Sequence, residues 1–327
     1  MLLSSFDYHR PTSLDELFDL IGLIKSQNES FSLYGGGTDL IANLKLSGES
    51  PDNLISCSRI EGLAGVRHDP NNNSLFIGAM TRLADLCEDR QVIKKCPVIA
   101  LTAKKIASPQ IRFLATLGGN LLVNTRCVYF NQTELKRDSL GSCLKTGGGS
   151  CRLVKSADTC KARFVSDLAP VLILLGAKLH LKSADEERTL MLEEFYRPDG
   201  IQKNHLTLGE ILSFIEIPLD QPPKILYEKL RVRDAVDFAS LGVGVGWNGK
   251  KMSAALETIL IGTDPAPVVA RFYLKDFKDI KEMIEHASNQ ASALLSPLKQ
   301  DFFPVGYRKK MARQLVEKMA RELTGKP

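Results

Sequence analysis

Three consecutive glycines follow a short apolar run in Leu33-Tyr34-Gly35-Gly36-Gly37-Thr38-Asp39-Leu40, and no other feature restricts the backbone as strongly. Lacking Cβ atoms, they let the chain turn tightly and aim several N–H groups into one concavity, a nest for phosphate oxygens. Thr38 adds a hydroxyl donor, and a helix start just behind favours negative charge. A second turn, Thr116-Leu117-Gly118-Gly119-Asn120, follows about eighty residues later and is suited to close on the other side of the same pyrophosphate. Neither obeys G-x-G-x-x-G, so the usual Rossmann fingerprint is absent. Each alone is compatible with a simple glycine turn; together they are more informative.

Helix and strand signals alternate around these turns. Ser13 and Glu16 form a candidate capping box for an amphipathic helix carrying Leu14, Leu17, Phe18, Ile21 and Ile24. Strands are expected over 31–34, 54–56, 75–77 and 211–217, and helices over 82–87 and 98–106. Gln221-Pro222-Pro223 is the best linker candidate. Beyond it the pattern predicts a sheet (225–230, 239–247, 254–261), helical patterns over 268–295 and a basic helix over 307–323. With 327 residues there is room for two or three domains. Apolar residues at 44% and charged residues at 25% exclude disorder and a fibrous chain. The net charge of +5 is too small and scattered to argue for nucleic acid. The N-terminal stretch lacks a signal-peptide apolar region, and the longest apolar run, 168–177, is interrupted by Pro170 and too short for a bilayer. A cytoplasmic protein with thiol or metal-ligand cysteines is therefore expected.

Residues 125–165 break the pattern. They have little apolar periodicity, and they hold Cys127, Cys143, Cys151 and Cys160, spaced C-x15-C-x7-C-x8-C. Four thiolates converging from a loop suit a tetrahedral zinc or an iron–sulfur cluster. Zinc sites usually show C-x2-4-C pairs, which are absent, whereas four separated cysteines suit a cubane. The alternative is that some are small buried hydrophobes, a description that fits Cys57, Cys87 and Cys96 better because their surroundings are apolar and periodic.

The glycine turns carry a resemblance. With Phe6-Asp7-Tyr8-His9-Arg10-Pro11, Ser166-Asp167-Leu168-Ala169-Pro170, Ile215-Glu216-Ile217-Pro218 and Asp234-Ala235-Val236-Asp237-Phe238-Ala239, they resemble the FAD-binding medium subunits of the xanthine dehydrogenase and carbon monoxide dehydrogenase (molybdenum hydroxylase) family. The match runs from end to end. It implies an α+β chain: a vanillyl-alcohol-oxidase (PCMH)-type FAD-binding domain over 1–220, with subdomains about 1–56 and 57–220 and an insertion at 125–165. A flavoprotein C-terminal-type α+β domain over 224–327 would follow. By motif position, Leu33, Tyr34, Gly35, Gly36, Gly37, Thr38, Asp39 and Leu40 would hold the FAD pyrophosphate together with Thr116, Leu117, Gly118, Gly119 and Asn120. Asp167 would accept from a ribose or adenine edge, Ile106 and Leu212 would give apolar contacts, and Lys229 would sit near the flavin ring.

The insertion, with Asn124-Thr125-Arg126-Cys127-Val128-Tyr129-Phe130-Asn131-Gln132 and Cys143-Leu144-Lys145, is similar to that of the flavin subunits of 4-hydroxybenzoyl-CoA reductases. That resemblance implies a 4Fe–4S cluster on Cys127, Cys143, Cys151 and Cys160, and electron entry from a low-potential ferredoxin. The partners implied are a small 2Fe–2S subunit and a large molybdenum-cofactor subunit, in a dimer of heterotrimers. A molybdenum hydroxylase with opposite electron flow is the alternative. Between residues 127 and 163, seven basic residues (Lys136, Arg137, Lys145, Arg152, Lys155, Lys161, Arg163) face three acidic ones (Glu134, Asp138, Asp158). This surplus suits either compensation of an anionic cluster or a docking face for an acidic ferredoxin.

Overall fold

The computed structural model describes residues 3–47, 50–249 and 253–325. The chain begins with a parallel three-stranded sheet of β1 (Asp7–His9), β2 (Phe31–Tyr34) and β3 (Asn53–Ser56), in the order β1-β3-β2. Helix Leu14–Ser26 buries Leu17, Ile21 and Ile24 against it. Ser13 caps that helix, its Oγ accepting from Glu16 N at 3.1 Å, while the Glu16 carboxylate turns back to accept from Thr12 N at 2.6 Å.

The second sheet contains β4 (Val66–Asp69), β5 (Ser74–Gly78), β6 (Lys178–Lys182), β7 (Glu187–Met191) and β8 (Ile211–Pro218), in the antiparallel order β4-β5-β8-β6-β7. Alternation along β8 sends Ile215 and Ile217 inward, where helices Leu83–Glu88 and Pro97–Lys104 share the core, while Ile211 packs in the small core of the first sheet. The third sheet is a meander of β9 (Lys224–Leu230), β10 (Leu241–Asn248), β11 (Ala255–Ile261) and β12 (Val268–Tyr273). Helices Ile280–Leu294 and Val305–Thr324 cover one of its faces.

Two expectations need correction. Residues 268–273 are not helical. Val268, Val269, Phe272 and Tyr273 suit an extended edge, and they pair with β11 from Ala255↔Tyr273 to Leu260↔Val268. The helix begins only at Ile280, where Asp279 Oδ1 accepts from Glu282 N at 2.8 Å. The cysteine stretch also has more order than its composition suggests. It contains helix Glu134–Leu140 and a 3-10 turn at Leu144–Thr146. Its two ends are stitched together by Arg126 N→Arg163 O at 2.9 Å and Arg163 N→Arg126 O at 2.8 Å.

Helix Leu168–Leu174 is buried at every position, because it lies between the second and third sheets. The sequence of β10, Leu-Gly-Val-Gly-Val-Gly-Trp, makes that possible. Leu241, Val243 and Val245 face the core under the C-terminal helices. Gly244 and Gly246 face the buried helix, and a Cβ at Gly244 would stand 3.1 Å from both Leu174 Cδ1 and Pro170 Cβ. No helix among the described residues is long and apolar enough to cross a membrane.

Overpacking at this seam has a measurable consequence. Gly244→Leu should destabilise the chain by about 1–3 kcal/mol, the usual cost of forcing extra methylenes into a packed site. Thermal or urea unfolding will show the loss, and an unchanged midpoint would contradict the packing described.

Candidate cofactor site

The two glycine turns touch. A side chain on Gly36 would collide with the backbone carbonyl oxygen of Leu114, and one on Gly35 would stand 2.7 Å from Thr116 Oγ1. Gly37 adopts φ +68°, where glycine is free of steric cost. The first turn is thus pressed backbone to backbone onto residues 114–116.

The N–H groups of the two turns have different fates. In the second, Leu117 N donates to Thr81 O (2.9 Å), Gly118 N to Ala79 O (2.7 Å) and Asn120 N to Thr116 O (2.9 Å). Gly119 N donates to Thr116 Oγ1 at 3.1 Å. In the first, the N–H groups of Gly35 through Asp39 donate to no acceptor among the described residues. Unclaimed amides beside a tight glycine turn are the donor set an anion needs. The first turn therefore presents a set of donors suited to an anion, and the second turn seats the first. Asn120 also braces the neighbourhood, its Oδ1 accepting from Ser166 Oγ at 2.8 Å and Leu168 N at 3.3 Å.

The remaining expected contacts are distributed around this pair. Leu33 packs in the small core of the first sheet, and Tyr34 OH lies 2.9 Å from Tyr8 OH. Ile106 and Leu212 lie in the central core. Asp167 and Lys229 are brought together: Lys229 Nζ donates to Asp167 Oδ2 at 2.7 Å, with both side chains 2% exposed. Tyr227 OH donates to the other oxygen at 2.6 Å. Burial, then the adjacent carboxylate, drives the Tyr227 phenol well above its usual range. Asp167 therefore ties the buried helix to β9 with both of its oxygens engaged. Ala107, beside Ile106, holds φ +48°, a strained conformation for a non-glycine residue that local sequence gives no way to foresee.

The four cysteines of the inserted stretch, which are not consecutive neighbours in the chain, line one small cavity, with Phe130 and Lys145 among its walls. Cys57, Cys87 and Cys96 are elsewhere, in apolar cores. Among the described residues, no three His, Cys, Asp or Glu side chains are grouped to hold a metal ion. Burial pushes the Cys127 and Cys160 thiols up, and nearby cysteine sulfurs add to the effect.

This cavity is anchored to the glycine turn. Arg126 pairs with Asp39 and donates to Asn43 Oδ1 at 3.0 Å, while its guanidinium lies 4.4 Å from the centroid of Phe238. Asn131 takes Cys127 N on Oδ1 at 2.9 Å and donates to Asn43 Oδ1 at 3.3 Å. Helix Leu40–Ser47, directly behind the glycines, thus holds the start of the cysteine stretch. The Asp39 carboxylate is committed to this junction. Two half-buried lysines lie close by, and burial lowers each to about 8. Lys145 Nζ donates to Thr125 Oγ1 at 2.6 Å and Asn124 Oδ1 at 2.8 Å; Lys203 Nζ donates to the carbonyls of Leu122 and Val123. Asn43 and Lys203 were not legible as site residues, because nothing in their own segments marks them.

The backbone contact sets a testable asymmetry. Gly36→Ala forces a clash with a main-chain oxygen and should abolish flavin retention. Gly119→Ala meets only the Thr116 hydroxyl, at 3.0 Å, and should reduce retention without abolishing it. Flavin absorbance per chain reads both, and full occupancy in Gly36→Ala would refute the seating of the first turn.

Comparison with known proteins agrees with this geometry. Residues 4–220 match the family model described as the FAD binding domain in molybdopterin dehydrogenase. The chain is 27% identical over 320 residues to the carbon monoxide dehydrogenase medium chain of Afipia carboxidovorans, covering 95% of this chain and 94% of that one. It is 32% identical over 218 residues to the aldehyde oxidoreductase FAD-binding subunit PaoB of Escherichia coli, covering 64% of this chain and 68% of that one. Among solved structures, reconstituted CO dehydrogenase from Oligotropha carboxidovorans superposes with a TM-score of 0.74 at 23% identity, covering 100% of each chain. The expected PCMH-type, α+β architecture is therefore present. With two-thirds of its length matched and its glycine turns in place, this chain belongs to the family of FAD-binding subunits of molybdenum hydroxylases.

Proposed function

We propose that this chain is an electron-transfer subunit that holds FAD over its first glycine turn and works beside a large molybdenum-cofactor subunit and a small 2Fe–2S subunit in the cytoplasm. The unclaimed amides of Gly35 to Asp39 carry this reading. Residues 1–220 form the FAD-binding domain in it, and residues 224–327 the C-terminal domain. When bound, FAD exchanges electrons singly or in pairs. The protein's part is to fix the pyrophosphate and to place a cation near the ring, for which Lys229 is the candidate. No residue of this chain is assigned to organic substrate or molybdenum in this reading. The carbon monoxide, aldehyde and xanthine dehydrogenase relatives favour a hydroxylase-type complex.

A narrower reading adds a 4Fe–4S cluster on Cys127, Cys143, Cys151 and Cys160 and, with it, the reaction of a 4-hydroxybenzoyl-CoA reductase fed by ferredoxin, in which a phenolic hydroxyl is removed reductively. One observation supports the cluster: all four thiols of a stretch otherwise poor in core residues line a single cavity. The donor set fits, since each iron of a cubane takes one thiolate from its own direction, which keeps the sulfurs further apart than around one ion. The charge of the stretch fits compensation better than docking. Its exposed residues cancel, Lys136, Arg152 and Lys155 against Glu134, Asp138 and Asp158. Arg137, Lys145 and Arg163 turn inward to Ser47 O, Thr125 Oγ1 and Asp301.

Anaerobic purification with the natural partners tests both levels. Four irons per chain beside those of the partner subunit should be found, and each of Cys127→Ser, Cys143→Ser, Cys151→Ser and Cys160→Ser should lose iron and keep flavin. Cys96→Ser should change stability alone. Flavin without iron in this chain would leave the hydroxylase-type subunit and remove the reductase reading. Reversing Lys136 and Lys155 to Glu should leave the rate of reduction by ferredoxin within about twofold, since the face they belong to has no surplus charge to steer encounter. A strongly salt-dependent loss in stopped flow would restore the docking face.

A further inference from the structure

Around the cysteine cavity the protein has gathered positive charge without the negative charge to match it. Lys145 lines the cavity, and its ammonium lies 4.5 Å from the Phe130 ring centroid. Its hydrogen-bond acceptors are Asn124 Oδ1, Thr125 Oγ1 and, at 3.4 Å, Thr125 O. All are neutral, and among the described residues no Asp or Glu forms an ion pair with it. Lys203 is in the same position, held by two backbone carbonyls. Arg126 is the third cation, and Asp39, the carboxylate that acts on this group, is already paired with it. Arg152 also lines the cavity, and Asp199 accepts from Cys160 N at 3.1 Å; Lys145 and Lys203 are the two cations of this group with only neutral acceptors. Folded proteins seldom tolerate this, because a buried charge is costly unless it is paired.

A 4Fe–4S core bound by four cysteinates carries about −2 in its usual oxidised state, opposite in sign to these two ammonium groups. We propose that Lys145 is the built-in counter-cation of the cluster, fixed by Asn124 and Thr125 so that the electron taken up on reduction arrives beside a positive charge. This rests on the cluster reading above. The step itself is simple: one electron passes from a low-potential one-electron donor to the cluster, no bond forms or breaks, and no proton need move. A fixed cation stabilises the reduced, more negative form and so raises the potential, with low dielectric in the cavity strengthening the effect. Asn124 and Thr125 belong to the short connection between the second glycine turn and Cys127, so the backbone that seats the flavin turn also positions this ammonium.

The test uses the anaerobically purified complex and two variants, Lys145→Gln and Lys145→Arg, with iron per chain and the cluster midpoint from redox titration followed by electron paramagnetic resonance. Lys145→Gln should keep its irons and lower the reduced-to-oxidised ratio at a given potential about tenfold, which is about 59 mV for a one-electron couple. Lys145→Arg, which keeps the charge, should stay near wild type. Loss of iron in Lys145→Gln with retention in Lys145→Arg would also support the charge role, as an effect on assembly. An unchanged midpoint in an iron-replete Lys145→Gln would overturn it while leaving the cluster in place, and so would equal loss of iron in both variants, which would make the side chain's shape the requirement. Absence of the cluster's iron from wild type itself would instead remove the reading on which it rests.

Discussion

Position 36 has no room for a side chain because the carbonyl of Leu114 is already there. That single contact brings together two turns that the chain separates by the last strand of its first sheet, two strands of the second and a helical layer. It makes residues 114–116 the floor on which the first glycine turn rests, and it lets the second turn spend its own amides on Ala79, Thr81 and Thr116. The division matters energetically. Amides donated inside the protein are already engaged, whereas amides without a protein acceptor are free to donate to an anion in exchange for water. Only the first turn is left waiting in this way.

The glycine turns, the first capped helix and the sheet after Gln221 were legible because each depends on local chemistry: absent Cβ atoms, a serine cap, alternating apolar residues. The edge strand Val268–Tyr273 was misread because a short apolar run looks alike in helix and strand until its partner strand is known. The polar strand Glu187–Met191 lacked a signal for a similar reason, since its neighbour β6 decides its conformation. The gathering of four cysteines could be anticipated from their number and setting. Their link to the flavin turn through Arg126, Asp39 and Asn43 could not, because it joins residues more than eighty positions apart.

Asp167 illustrates how a motif can mark structure as firmly as binding. Its place in Ser166-Asp167-Leu168-Ala169-Pro170 invites assignment to a ribose, yet its two oxygens are engaged by Tyr227 and Lys229. The consequence is mechanical. The helix that it precedes is tied to the third sheet by these bonds and packs in the core that also holds strands of the second, so the flavin-side units and the C-terminal sheet share one buried element.

The reciprocal bridge between Arg126 and Arg163 brings the start and the finish of the cysteine-bearing stretch side by side. A segment that leaves a scaffold and returns to it at adjacent points can be lengthened, shortened or exchanged with little effect on the frame, since the entropy of closing a loop grows only slowly with its length. Such a segment is a graft site in the horticultural sense: the rootstock, here the two touching glycine turns and the sheets beneath them, stays the same whatever is grown from the cut. A stretch grafted at this cut therefore need not disturb the sheets from which it grows.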